Sequence, residues 1–204
     1  MPDPSTMRGA SPAAAEIPDL ATMPDAARRI AAAAEALFYE RGITAVGVDR
    51  IAEASGVTKR TLYDRFGSKD VLVAVYLTER DRRWRALVEE AVAAAPDTHA
   101  ALLAPFDALE RWMGGTARGC AFVNALAELP DASHPGRAVI LEQKRWLEAR
   151  LCALATAAGA SDAATLAARL LVLHEGALAT QPLDLGTLPV VQALARELVD
   201  RALA

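Results

Sequence analysis

Lys59 and Arg60 stand directly after Thr58, with Thr61, Tyr63 and Arg65 following before Gly67. Thr is a good N-cap, so a helix starting here carries two cations on its first turn, beside backbone N–H groups that already favour an anion. Such a turn can read nucleic acid. Arg offers a donor fork and Lys a point donor to guanine O6 and N7, each good bidentate contact giving about 1–3 kcal/mol of discrimination. On an arbitrary helix the same residues would be a solvated face with a partly buried tyrosine, so what surrounds them has to decide.

No comparable pattern points to catalysis. His99, His134 and His174 lack metal-ligand spacing, and no nucleophile motif or phosphate-binding loop accompanies them. An enzyme is not expected, nor a metal or cofactor. Cys120 and Cys152 are too few and too far apart for a disulfide framework. A redox-responsive thiol at Cys120 is an alternative reading, but it needs an exposed sulfur in an electropositive setting. The sequence puts only Arg118 and Arg150 two residues from a cysteine, with no adjacent Lys or His. Two buried, inert thiols are the simpler expectation.

The elements that must carry these residues are helices. Ala, Leu, Arg and Glu dominate over the β-branched and aromatic residues that strands prefer, which predicts an all-α protein. No run approaches the ~18 apolar residues of a membrane span, and the N-terminus lacks a signal-peptide pattern, so a cytoplasmic protein is expected. The formal net charge of −4 argues against wholesale coating of nucleic acid. Between Asp25 and Asp70, however, basic residues slightly outnumber acidic ones.

Residues 1–23, with four prolines and no apolar period, read as a flexible arm. Apolar residues at three- and four-residue spacing then predict a packing helix from Pro24 to the Gly42 cap, a short one over 48–55 ended by Gly56, and a third from Thr58 to Gly67. Ser68 caps a fourth helix to about residue 95, roughly 40 Å long at 1.5 Å per residue, within which a domain boundary should fall. The run of Arg80, Arg82, Arg83 and Arg85 with Glu79 and Asp81 reads as its solvated middle. Further helices are predicted at about 98–114, where Pro105 should introduce a kink, and at 120–128, 135–158, 162–180 and 188–203. The last two are rich in Ala and Leu on more than one face and need partners on both sides, which a homodimeric four-helix interface supplies.

Two short helices joined by a Gly-containing turn, the second opening on Thr-Lys-Arg, match a helix-turn-helix. Ala52 provides the small residue at the helix crossing and Gly56 the positive-φ position, while Val57, Leu62 and Phe66 pin the second helix from inside. The stretch GITAVGVDRIAEASGVTKRTLYDRFGSKD over residues 42–70 closely resembles the N-terminal domain of the TetR family of regulators, with I-A-x-x-x-G-V followed by T-L-Y-x-x-F-x-S-K-D. Gly119 to Asn124 with Ala127 and Glu128 also resembles a segment found in one branch of that family.

The resemblance implies an N-terminal three-helix domain over 24–70 and a larger helical effector-binding and dimerisation domain over 71–204. It implies a homodimer that places one recognition helix per subunit in successive major grooves of double-stranded operator DNA. Carried over residue by residue, Thr58 approaches a phosphate, Lys59, Arg60 and Thr61 enter the groove, and Tyr63 and Lys69 contact phosphates. Position 60 is often Gly in the family, so Arg60 adds a reader. Gly47 stands where a capping hydroxyl is usual, and no side-chain contact is carried to it.

A small-molecule effector is implied for the C-terminal half, its identity unreadable. Phe106, Trp112, Met113, Phe122, Asn124, Trp146 and His174, with Glu128 and Gln143, are candidate lining, although each alone reads more readily as core. A helical protein-interaction domain, without sequence-dependent DNA affinity, is the rival function.

Overall fold

The computed structural model describes residues 17–114 and 118–204. Among them the fold is all-helical, without a strand. The helices are α1 (Asp25–Arg41), α2 (Val48–Ser55), α3 (Lys59–Phe66), α4 (Lys69–Ala93), α5 (Thr98–Met113), α6 (Ala121–Glu128), α7 (Pro135–Ala157), α8 (Ala163–Thr180) and α9 (Leu188–Leu203). Local chemistry sets most of these ends. Side-chain oxygens of Thr58, Ser68, Asp97 and Asp162 accept from backbone N–H groups in the first turns of α3, α4, α5 and α8.

α1, α2 and α3 pack with the start of α4 around Ile30, Ala34, Phe38, Ile51, Leu62 and Phe66, all buried. α4 then runs on between α5 and α7, and α7, α8 and α9 stack in sequence, with α9 closing back on α5. A single core connects the two halves. α5 continues through Pro105, which is buried within it.

Two expectations change. The arm reading of 1–23 lies largely outside the described residues, but residues 17–23 are docked. Asp19 caps a 3-10 turn (Leu20–Thr22) and pairs with Arg82 at 3.0 Å, while Ile17, Leu20 and Met23 pack against the core. Nor is the charged middle of α4 simply solvated. Arg80 and Asp81 are buried, and the Arg80 guanidinium lies 4.5 Å from the Tyr39 ring centre and 4.9 Å from that of Trp112, with Glu35 at 3.7 Å. The reason is position: α4 is sandwiched along its length, so one side of a charge run must enter the interior, where ion pairing and aromatic faces compensate lost hydration. Arg82 and Arg83 keep the solvated side, and Arg83 also pairs with Glu35.

Candidate nucleic-acid interface

Gly56 adopts the left-handed conformation at φ +66°, ending α2, and its N–H and that of Val57 close the turn on Glu53 and Ala52 carbonyls at 3.1 Å each. Leu62 and Phe66 are buried beneath α3, which turns Lys59, Arg60, Tyr63 and Asp64 outward. Thr58 Oγ1 accepts from Thr61 N at 3.1 Å and lies 2.9 Å from Thr61 Oγ1. The first turn of α3 is thereby an exposed helix N-terminus flanked by two cations, the arrangement that suits a phosphate or a groove edge.

The cations differ in freedom. Arg60 has 91% of its side chain exposed, and Asp64, 3.9 Å away, holds it only weakly. Lys59 donates to Asp49 of α2 at 3.1 Å, and that hydrogen bond and charge push its pKa up. Lys59 therefore stays charged but must leave Asp49, or share it, to reach DNA. Tyr63 is exposed on the same face one turn on.

Lys69 is placed differently from the α3 residues. Its Nζ donates to the Ile43 carbonyl at 2.7 Å and sits 5.9 Å from the Phe38 ring centre, half-buried, and desolvation pulls its pKa down despite Asp70 and Glu128. The ammonium clamps the α1–α2 loop instead of facing outward with the α3 residues. Lys69→Met should therefore lower thermal stability, by about 1.5–3 kcal/mol for one hydrogen bond to a charged group, and leave the salt dependence of DNA binding unchanged. A flatter salt slope at unchanged melting temperature would return Lys69 to the phosphates.

That loop is also gripped from the C-terminal half. Glu128, the last residue of α6, accepts from Thr44 N at 2.7 Å, and its carboxylate fills the space a Cβ at Gly42 would need. Arg118 donates twice to Tyr39 of α1, from its backbone N–H to Tyr39 Oη at 3.0 Å and from its guanidinium to the Tyr39 carbonyl at 2.7 Å. His134 Nδ1 accepts from Gly136 N at 3.0 Å, which leaves Nε2 to carry the proton facing Asp70 at 3.4 Å. Glu128, one of the candidate effector-lining residues of the sequence, thus links the two halves.

Of the proposed lining residues, Trp112, Phe122, Gln143 and His174 do converge, on a small cavity of about 20 Å³ that Trp84 and Lys144 complete. Phe106 supports the His174 ring from the side at 6.3 Å between centres. Met113, Asn124 and Trp146 are elsewhere. The Met113 carbonyl accepts from Gln181, Asn124 donates to the Arg118 carbonyl, and Trp146 packs under Arg85. Burial pulls the His174 pKa down against the influence of Glu175, so the ring is neutral near pH 7, with Nδ1 directed at Glu175 Oε1 at 3.2 Å. Trp84 Nε1, Gln143 Oε1 and His174 Nε2 have no hydrogen-bond partner among the described residues. Buried polar groups are normally satisfied, and these three belong to residues that line one cavity.

Residues 30–76 match the family model described as bacterial regulatory proteins, tetR family. The crystal structure of SCO4454, a TetR-family transcriptional regulator from Streptomyces coelicolor, is similar with a TM-score of 0.78 and 33% identity, over 87% of this chain and 94% of that one. The structure of sav143, a TetR-type regulator from Streptomyces avermitilis, gives 0.76 and 31%, over 88% and 98%. An uncharacterized HTH-type transcriptional regulator of Mycobacterium tuberculosis, Rv1255c, is 41% identical over 58 residues, which span 28% of this chain and only 29% of that relative.

Proposed function

The chain belongs to the TetR family of transcriptional regulators, DNA-binding proteins rather than enzymes, and from that premise we propose that it is a cytoplasmic homodimeric repressor released from its operator by a small effector. The carrying observation is the first turn of α3, where Thr58, Lys59, Arg60, Thr61 and, one turn on, Tyr63 form an outward-facing set on a helix whose other side is locked by Leu62 and Phe66. Arg60, the most exposed, reads bases; Thr58 and Tyr63 set register on phosphates; Lys69 acts indirectly by holding the loop over residues 43–47. Residues 24–70 form the reading domain and 71–204 the sensing and dimerisation domain, with α4 common to both.

Dimerisation through α8 and α9 is supported by Val172, Val190 and Leu194, large apolar side chains left exposed there. The effector reading draws on the cavity of Trp84, Trp112, Phe122, Gln143 and His174. Only an effector that prefers the DNA-incompetent arrangement can release the operator, and about 1–3 kcal/mol of coupling gives a 5- to 150-fold effect. Glu128, tying α6 to the α1–α2 loop, is a connection through which that preference can act.

Selection from a random-duplex pool near physiological salt tests the reading. A pseudo-palindrome should emerge, and Arg60→Ala should relax base preference at one position per half-site by about 5- to 150-fold while changing affinity for other sequences little. Enrichment of nothing by a folded dimer would favour the protein-interaction function. Equal losses on every sequence would show that Arg60 touches only phosphate.

A further inference from the structure

Cys120 lies where two hollows meet. It lines the inner cavity and also an outer cleft of about 280 Å³ walled by Val123, Asn124, Glu175 and Pro182, with Leu178 common to both. Lys144, a turn and a half of α7 away from anything the sequence pairs with a cysteine, donates to Cys120 Sγ at 3.4 Å and to both carboxylate oxygens of Glu175 at 2.7 and 2.8 Å. Glu175 is held below the ordinary glutamate range: burial pushes it up, but the His174 hydrogen bond and the Lys144 charge outweigh that. The Glu175 carboxylate is therefore ionised, and the Lys144 ammonium that pairs with it also sits against the sulfur. His174 and Gln143, each only 2% exposed, add acceptor atoms with no partner among the described residues to the same cavity.

We propose that Cys120 is a covalent capture site for flat, conjugated electrophiles of the α,β-unsaturated carbonyl class, entering by the outer cleft. The aromatic walls at Trp84, Trp112 and Phe122 suit a planar molecule. Sulfur attack builds negative charge on Sγ, and an ammonium at 3.4 Å in a poorly hydrated site stabilises it far more than one in water. The reaction is an addition of S–H across the activated double bond. A C–S bond forms at the β-carbon, the C=C π bond breaks, and the thiol proton ends on the α-carbon, so no oxidant or reductant is required.

Capture acts where α6 begins. Cys120 is the N-cap of this helix and Glu128 its last residue, the one bonded to Thr44 N. An inner cavity of about 20 Å³ has room for about one water. An adduct that reaches from the outer cleft into this cavity must displace the α6 N-terminus or the α7–α8 wall, and a shift of a rigid two-turn helix is felt at Glu128 and the α1–α2 loop. This regulatory consequence rests on the DNA-binding reading; the capture step does not.

N-ethylmaleimide, a flat activated enone, supplied to the full-length chain and followed by intact-mass measurement, separates the two. With Cys152→Ser leaving only Cys120, and Cys120→Ser leaving only Cys152, the Cys120 adduct should form about tenfold faster, each rate being referred to that of the same chain unfolded in guanidinium. Lys144→Met in the Cys152→Ser background should abolish the advantage, and Lys144→Arg should restore most of it. A Cys120 rate no higher than that of Cys152, or one indifferent to residue 144, overturns the capture site. The adduct should also reduce retention of a selected operator duplex by about tenfold. Fully modified chain that holds the duplex as tightly as unmodified chain overturns the regulatory half. If unmodified chain selects no duplex, it is the DNA-binding reading that falls, and the mass kinetics still decide the thiol.

Discussion

Gly119→Ala should destabilise the protein by about 2–4 kcal/mol, the sum of left-handed backbone strain and overpacking. Gly119 sits at φ +68°, and a Cβ added there would lie 2.6 Å from the Leu178 carbonyl oxygen, with the Pro182 ring 3.1 Å away. Neither neighbour is a flexible chain end that can swing aside. Denaturant titration checks the magnitude, and Gly159→Ala provides the scale. Gly159 also has positive φ, +91°, but open space around it, so its substitution should show the backbone strain alone, about 1 kcal/mol. If the two variants lost equal stability, the close approach of the α5–α6 connection to α8 would not be a real constraint. The consequence reaches the sensor, since Gly119 precedes Cys120 and seats it between Lys144 and the outer cleft.

Leu62→Ala is expected to lower stability by about 2–5 kcal/mol, as for other fully buried leucines, and to abolish operator binding at temperatures where the rest of the chain stays helical. Leu62 is 0% exposed under the recognition helix and belongs to the cluster of Ile30, Phe38 and Ile51. α3 has only eight residues and cannot persist without such an anchor, because short helices are marginal in water. Tyr63→Ala, one residue on and 42% exposed, should leave the melting temperature nearly unchanged while weakening DNA binding. Circular dichroism melts beside duplex retention distinguish the two roles. A Leu62→Ala chain that melts like the parent would mean that α3 is held mainly by its caps.

The split between these neighbours was visible in the sequence. Leu62, four positions past the Thr58 cap and four before Phe66, must face the α1–α2 side if the helix is amphipathic, and its neighbour must then face out. The same reasoning located Trp112, Phe122, Gln143 and His174 as polar or aromatic residues amid apolar neighbours, and all four line the cavity. Met113, Asn124 and Trp146 lie outside that inner cavity: the Met113 carbonyl accepts from Gln181, Trp146 packs under Arg85, and Asn124, which donates to the Arg118 carbonyl, walls the outer cleft. Trp84 was missed because it lies inside the α4 charge run, where its buried state is hidden by the arginines around it. Lys144 and Glu175 carried no signal at all, since a charged residue on a long helix reads as surface until something is known to cover it.

The sequence by itself determined the helices, their ends and the reader turn, because caps, glycines and apolar spacing act over a few residues. Thr58, Gly56 and Ser68 do the same work in the fold as in the bare sequence. The tertiary structure decided which charges are usable. It drew Lys69 inward to the Ile43 carbonyl, buried Arg80 between two aromatic rings, and brought Lys144 to a cysteine 24 residues earlier in the chain. Those outcomes depend on how helices are rotated and crossed, and so on which side chains lose water together. Desolvation and charge pairing belong to the packed assembly, and no local window of the chain encodes them.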